Sequence, residues 1–403
     1  MRKIARRAGI SYIVKSSVPC TTSIAAKAHM SIVIREVVSP RDLRAFIRFP
    51  FSLYKNNPYW VPPLLFDERN TLDRKKNPAF DHSTAVYWLA EREGKVVARI
   101  AGIINHAYVK LWDRKAARFG WFDLIDDDEV ASARLGTAEA WARAQGMTEL
   151  VGPLGFSDMD REGMLVEGFA ELSTMGTLYN FPYYPVHMER RGYVKDVDWL
   201  EYNITVPATI PEKALRVAAM ATERKGLHVV AAQKARDLLP YAHQIFEIIN
   251  DTYSDLYGFV PLTEREINYY VKMYFPNISP HYTKLLVDKE GRLAAFVIAM
   301  PSLSRALQKA RGHLLPFGAF HLLRAMKRPK TIDLYLGAVR RDLQGKGADA
   351  FLITALAASC IERGIVSAES NVELEENKRV QAHWKNFERR QHKRRRCYKR
   401  SLV

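Results

Sequence analysis

Apolar and polar positions alternate with the period of a strand in several short runs between residues 31 and 206. Ile32-Val33-Ile34-Arg35-Glu36-Val37 reads as a first strand. Tyr87 to Arg92 and Lys95 to Ile104 are two strand-like runs separated by a Glu93-Gly94 turn, which predicts a hairpin. Phe119 to Ile125 is a further strand. Asp126-Asp127-Asp128-Glu129 then opens a helix to Gln145, where acids suit the positive end of the helix dipole and Gly146 stops it. Met147 to Leu154 reads as the next strand, and Pro207 and Pro211 mark a boundary. The segment 227–403 repeats this order. Thr283 to Val287 and Leu293 to Met300 form a hairpin, Thr331 to Val339 a strand, Gly345 to Arg363 a helix, and Ile365 to Ser370 a strand. The repeat is one of architecture and predicts two α/β (α+β) units, each a twisted mixed sheet flanked by helices, at 31–206 and 227–403 with a linker over 207–226.

Composition narrows the class. The 403 residues exceed the roughly 250–300 at which single cores stop growing, and 48% hydrophobic with 26% charged residues describes a packed chain, which excludes disorder and fibrous classes. The longest apolar stretches, Leu293 to Met300 and Phe351 to Ile361, fall short of the roughly 18 residues a membrane span needs, so no transmembrane helix is expected. Cys20, Cys360 and Cys397 are too scattered for a disulfide framework or a metal site, which favours a reducing, cytoplasmic setting and no metal.

The formal charge of +17 is concentrated in three acid-free runs: six Lys/Arg in residues 1–30, seven in 301–330 and eight in 389–403. Without them the rest of the chain carries −4. The basic runs are therefore local devices, for phosphates of a co-substrate, lipid headgroups or nucleic acid, or plain solvated surface. Residues 1–30 resemble an organelle presequence in composition or reflect a misassigned start, and are expected to lie outside the fold.

The most informative stretch runs from Leu336 through Gln344-Gly345-Lys346-Gly347 to Leu352. A strand ends, a loop with two glycines follows, and a helix opens at the second glycine. Unpaired N–H groups of a first helical turn form a positive concavity that suits a pyrophosphate, and glycines allow close approach. A plain strand-to-helix turn is the alternative. In the first half, Asp126 to Glu129 stands where phosphate donors would be needed, and four acids repel a pyrophosphate. Substrate shaping is therefore assigned to the first half. Gly152-Pro153-Leu154-Gly155-Phe156-Ser157-Asp158-Met159-Asp160 is its candidate substrate loop or a tight turn.

The glycine loop resembles the acetyl-CoA signature Q/R-x-x-G-x-G/A of the GCN5-related N-acyltransferase superfamily, with Gln344 and Gly347 matching and Asp349 departing from the last small residue. Asn377-x-x-Val380-x-x-x-Trp384 resembles the superfamily's N-x-x-A-x-x-x-Y helix beside the pantetheine arm. Trp384 replaces the tyrosine often used as general acid. His383 is then a substitute or a structural residue. A narrower resemblance, over roughly 32–400, is carried by Phe49-Pro50 to Pro62-Pro63, Gly152-Pro153, Asp255 to Leu262 and Phe387 to Tyr398. These segments look like a tandem-fold bacterial family that includes or neighbours the bacterial ceramide synthases, which acylate a sphingoid-base amine with long-chain acyl-CoA.

The resemblance implies two tandem acyl-CoA N-acyltransferase-like units and acyl-CoA as co-substrate. It is held by Leu336, Ala338, Gln344, Gly345, Lys346, Gly347, Ala348, Asn377 and Trp384. Acyl transfer to an amine needs a base, donors to the oxyanion and an acid for the thiolate. The resemblance places the thioester between strands 331–339 and 365–370. Glu369 and Asp333 are therefore base candidates, with Glu369 favoured for its polar neighbours Ser370 and Asn371, unless they are surface acids. The N–H of Leu336 or Gly337 is the candidate carbonyl donor. His383 is the remaining catalytic candidate.

The insertion Pro301 to Lys330 combines apolar residues at helical spacing with seven cations. It reads as an interfacial helix against anionic lipid, the lip of an acyl tunnel, or an amphipathic helix closing the core. The expected partners are acyl-CoA and a small lipidic amine, with the protein cytoplasmic or peripheral on the inner membrane. Competing readings are an aminoacyl-tRNA-dependent transferase holding tRNA with its basic tail, and a non-enzymatic nucleic-acid-binding module. In the tail only Tyr398 interleaves aromatically with the cations, which is poor for base stacking.

Overall fold

Alternating side chains become one mixed sheet in the computed structural model, which describes residues 31–403; the leader expected over 1–30 lies outside the described residues. In chain order the strands are β1 (Val33–Glu36), β2 (Ser83–Arg92), β3 (Lys95–Asn105), β4 (Ala116–Leu124), β5 (Glu149–Gly152), β6 (Met164–Glu167) and β7 (Val194–Thr205) in the first half. The second half holds β8 (His228–Val229), β9 (Thr283–Val287), β10 (Leu293–Pro301), β11 (Thr331–Val339), β12 (Ser367–Glu369), β13 (Glu373–Leu374) and β14 (Arg389–Ser401). The order across the sheet is β1-β2-β3-β4-β5-β14-β7-β12-β11-β10-β9-β8.

Each arm thus repeats the same arrangement. An antiparallel edge strand and hairpin lead to a strand that pairs in parallel with the strand after its helix, β4 with β5 and β11 with β12. Both crossover helices begin where expected, Asp128–Ala144 and Ala348–Glu362. At the centre the halves exchange strands. β7, from the first half, pairs with β12 of the second, and β14, the last strand of the chain, pairs with β5 of the first. The two strands also pair with each other along most of their length. The expected boundary at 207–226 contains the helix Glu212–Lys225, whose Ala221 is buried against Ala348 and Leu352.

The run 389–403, read as a basic tail, is an interior strand. Lys393 and Arg395 are buried and both grip the buried carboxylate of Glu201 on β7. Arg390 pairs with Glu171, Arg394 and Arg396 with Asp198, Lys399 with Asp196 and Arg400 with Glu139. A strand this cationic can sit inside a sheet because β7, the helix Asp128–Ala144 and the loop at Glu171 bring carboxylates to it, so little of it remains to attract a polyanion. Burial pushes the Glu201 carboxyl up, but the adjacent Arg395 and Lys393 outweigh it and hold it at about 2. Glu201→Gln strands two buried cations and is expected to cost about 3–5 kcal/mol of folding stability by chemical denaturation. Because the folded carboxyl titrates below its unfolded value, its stabilisation is present above ordinary carboxylate pH and fades as pH falls toward 2. A loss well under 1 kcal/mol contradicts this account.

Candidate active site

The loop after β11 has the conformation its glycines permit. Gly345 and Gly347 lie at φ +69° and +88°, and Gly347 caps the helix Ala348–Glu362 in the left-handed region. The left-handed backbone favours glycine at Gly347, and a Cβ there would stand 3.2 Å from Val217 Cγ1 on the helix Glu212–Lys225, which would have to give by a few tenths of an ångström. Among the described residues the N–H groups of Gly345, Gly347 and Ala348 have no protein acceptor. They form a cluster of backbone donors at the positive end of a 15-residue helix, an arrangement able to receive an anion. Gln344 Nε2 donates to the Val339 carbonyl and Lys346 Nζ to the Asp342 carbonyl, so both side chains brace the loop. The Ala348 methyl is buried in the core and only its N–H faces the loop. Asp349 does not meet these donors with a free charge. Its carboxylate turns to His383 Nε2 at 3.1 Å, and that hydrogen bond holds it below the usual carboxylate range.

β11 and β12 pair only from Thr331/Ser367 to Asp333/Glu369, and beyond that point β11 continues with no partner strand on that side among the described residues. The phase of the strand decides which peptides face the opening. The carbonyls of Tyr335, Gly337 and Val339 accept from Asn371 Nδ2, Tyr253 Oη and Gln344 Nε2, all away from β10. Arg340 N donates to Ala294 on the β10 side. By alternation the peptide groups of Leu336 and Ala338 turn toward β10. The side without a partner strand therefore offers the N–H of Gly337, an exposed residue, and not that of Leu336.

One face of the central strands is apolar, with Ile332, Ala368 and Ile204 packed beneath Leu356 and Cys360. A pocket beside them is lined also by Leu334, Ile353, Trp384 and Phe387. Trp384 Nε1 donates to Glu373 Oε1 at 2.7 Å, while Asn377 caps its own short helix by accepting from Val380 N. Burial pushes the Glu373 carboxyl up to about 7. The opposite face holds the acids. Asp333 is 2% exposed, with Ser302 and Tyr335 beside it and Glu369 next to it across the strand pair. Its two carboxylate oxygens have no hydrogen-bond partner of good geometry. Burial, helped by the Glu369 charge, pushes it up to about 7. Glu369 is differently placed. It accepts from Asn203 Nδ2 at 2.7 Å, lies 2.8 Å from His392 Nε2, and has Lys393 Nζ at 3.7 Å. Asp333 and Glu369 are thus brought together, whereas His383 sits apart from them at the mouth of the glycine loop with Asp349.

This polar face is covered by the first half. A Cβ at Gly168 would stand 2.2 Å from the His392 carbonyl, and Gly176 packs on the Tyr335 ring. The 152–160 loop, a candidate for the substrate, crosses into the second half, where Met159 packs on the same core of Phe246, Phe259 and Phe296 as Tyr253, Tyr270, Leu336 and Ala338. Asp160 Oδ2 braces it by accepting from Phe156 N and Ser157 N. Asp158 keeps a buried Oδ1 without a partner, and burial pushes its carboxyl up to about 7. Sequence reasoning missed Tyr335, Ser302, His392, Lys393 and Glu201. Tyr335 was within reach, since two-residue alternation puts it on the face of Asp333.

No protein-family model matches the chain. Protein YghO of Escherichia coli is 30% identical over 352 residues, covering 86% of this chain and 89% of that protein. A bacterial ceramide synthase of Caulobacter vibrioides is 31% identical over 305 residues, covering 74% and 77%. The chain belongs to the bacterial ceramide synthase family. Among solved structures, a tandem GCN5-related acyltransferase-fold protein from the clavulanic acid biosynthesis pathway superposes with a TM-score of 0.54 at 13% identity, covering 93% of this chain and 99% of that one. This family member therefore carries the tandem form of the GCN5-related N-acyltransferase fold.

Its two halves differ where the phosphates would bind. At the first crossover helix Asp127 accepts from Val130 N and pairs with Arg92, while Asp126 and Asp128 flank His187. That helix terminus is already satisfied by its own acids. Neutralising Asp126 and Asp128 together is expected to change CoA affinity less than about tenfold by calorimetry, because two carboxylates at an unused terminus repel a pyrophosphate only through solvent. A larger change would place a CoA site in the first half.

Proposed function

We propose that this N-acyltransferase takes its acyl group from acyl-CoA, held by the second half, and passes it to a lipidic amine, a sphingoid base in the leading case. The observation that carries the reading is the glycine-capped helix terminus, with three N–H groups that have no acceptor among the described residues, set directly beyond the stretch of β11 that has no partner strand on that side. Its donors suit a pyrophosphate, and the apolar cleft between Leu334, Leu356 and Trp384, with about 40 Å³ of open volume, would have to widen to admit a pantetheine arm or acyl chain. The name of the Caulobacter relative supports the sphingoid base.

In this reading the Gly337 N–H donates to the thioester oxygen as negative charge develops there. Asp333, poised near neutrality, accepts the ammonium proton, directly or through water, so that the free amine can attack the carbonyl carbon. The C–N bond forms as the C–S bond breaks, the surplus proton of the attacking nitrogen passes through water to the departing thiolate, and CoA leaves as the thiol. The first half closes over the acceptor side with the 152–160 loop and the 163–180 segment. A tRNA-dependent transfer is disfavoured, since most cations of the last strand are paired with carboxylates inside the sheet. Incubating the purified protein with acyl-CoAs of graded length and a panel of sphingoid bases, with products read by mass, tests the reading. N-acylated base that requires both substrates supports it, and acylation of none of the amines overturns it.

A further inference from the structure

The insertion between β10 and β11 folds as two helices, Ser304–Ala310 and Gly318–Lys327. Their inner face is settled. Leu303 and Leu307 are buried against Val61, and Leu322, Ala325 and Met326 pack on them. The outer face keeps a second set of apolar side chains that none of the described residues covers. Leu315 is 79% exposed, Phe317 71%, Phe320 62% and Leu323 59%. Single exposed apolar residues are ordinary, but four of this size within nine positions form a patch.

The cations around the patch stand together with no acid among them. Among the described residues none of Arg305, Lys309, Arg311, Arg324, Lys327, Arg328 and Lys330 has a carboxylate within ion-pair distance; the salt bridges of the chain lie elsewhere. Arg305, Gln308, Lys309, Arg311 and His321 line an open recess of about 550 Å³ beside the apolar patch. The recess is held in shape from below. Gln308 Nε2 donates to the Pro58 and Trp60 carbonyls, and its Oε1 accepts from Arg305 Nη1 at 3.2 Å, which fixes the guanidinium. An apolar ridge beside an acid-free cationic recess matches an anionic bilayer, with acyl chains under a layer of phosphates. A second copy of this chain would bring the same cations against themselves, and like charges in apposition repel.

We propose that the insertion 301–330 docks the protein on an anionic phospholipid bilayer, Leu315, Phe317, Phe320 and Leu323 entering the acyl layer and the Arg305, Lys309, Arg311 and His321 recess taking a lipid phosphate. The surface gives the lipidic-acceptor reading a physical location and rests on that reading for its purpose, but vesicle binding needs no turnover, so the two fail separately. The test is sedimentation of the full chain with vesicles of phosphatidylcholine alone or with about one third phosphatidylglycerol, with Phe320→Trp fluorescence read against brominated acyl chains. Binding to the anionic vesicles is expected to exceed binding to the neutral ones by about tenfold or more and to weaken with salt. Phe317→Ser with Phe320→Ser, and separately Arg305→Gln with Lys309→Gln and Arg311→Gln, are each expected to reduce it by about tenfold at unchanged thermal midpoint. Bromine quenching at position 320 supports insertion. Equal binding to both vesicles, binding to neither, or unchanged binding by both variants overturns the proposal. So does displacement by inorganic phosphate at matched ionic strength, which marks a free-anion site, and so does lipid-independent self-association abolished by the Phe317/Phe320 variant.

Discussion

Asp333→Asn is expected to lower acyl-transfer turnover by about 10²–10⁴ while leaving acyl-CoA affinity within a few-fold of the parent. The carboxyl sits where β11 and β12 part, buried at 2% exposure, with no well-formed hydrogen bond to either oxygen, and burial pushes it up to about 7. A group poised there is ionised in only part of the neutral range, so the parent rate should rise through an acid limb near pH 7. The asparagine variant should lose that limb. Stability moves the other way. A carboxyl whose folded pKa lies above its unfolded value favours the native state at low pH, and that advantage vanishes as pH rises through 7. At pH 8 the parent therefore carries a buried, poorly solvated anion that the variant lacks. Asp333→Asn is expected to melt no lower than the parent, and higher if the asparagine is accommodated. Loss of activity with gain of stability is a signature a merely structural acid cannot give. Glu369→Gln is the contrast. Glu369 is tied to Asn203, His392 and Lys393, so its loss should lower stability and affect binding and turnover together while leaving the acid limb in place. If the acid limb vanishes in Glu369→Gln and survives in Asp333→Asn, the base assignment is reversed.

The slight sequence preference for Glu369 rested on its polar neighbours, whose bonds in the structure serve the sheet. Ser370 Oγ accepts from the backbone N–H of Tyr202, so it serves the strand pairing rather than the site. What decides the environment of Glu369 lies far away in the chain. His392 and Lys393 are in the last strand and Glu201 and Asn203 in β7, and these meet only because the two halves exchange their final strands. No local periodicity encodes that exchange. In the run Arg389 to Arg396 nearly every position is cationic, so two-residue alternation has no contrast from which an inward face could be read. By comparison β2, β3, β11 and the crossover helices were legible, because apolar alternation, the Glu93-Gly94 turn and the acids before Val130 are local signals. The glycine loop was legible for the same reason. Its departure at Asp349 was resolved only by a partner 34 positions downstream, His383, which draws the carboxylate aside.

Gly347→Glu is expected to weaken CoA binding by about 100-fold or more in calorimetry, because it places a carboxylate beside the N–H groups that receive the pyrophosphate. Three separate effects act at this position, and a second variant separates them. Any L-residue at φ +88° pays a conformational cost on the order of 1–2 kcal/mol, and any Cβ there must displace Val217 by a few tenths of an ångström. Gly347→Ala carries both of those penalties and no charge. The alanine variant is therefore expected to lose some stability and roughly tenfold in affinity at most, with the remainder of the glutamate effect electrostatic. Because that remainder is a charge repulsion at an exposed loop, it should shrink as salt is raised, whereas the alanine effect should not. Denaturation curves must stay cooperative for both variants, which the exposed position of the loop favours. Parent-like CoA affinity in Gly347→Glu removes the phosphate site from this loop. Equal losses in the two variants would mean that backbone shape alone holds the co-substrate, and the helix terminus would lose its electrostatic part in binding.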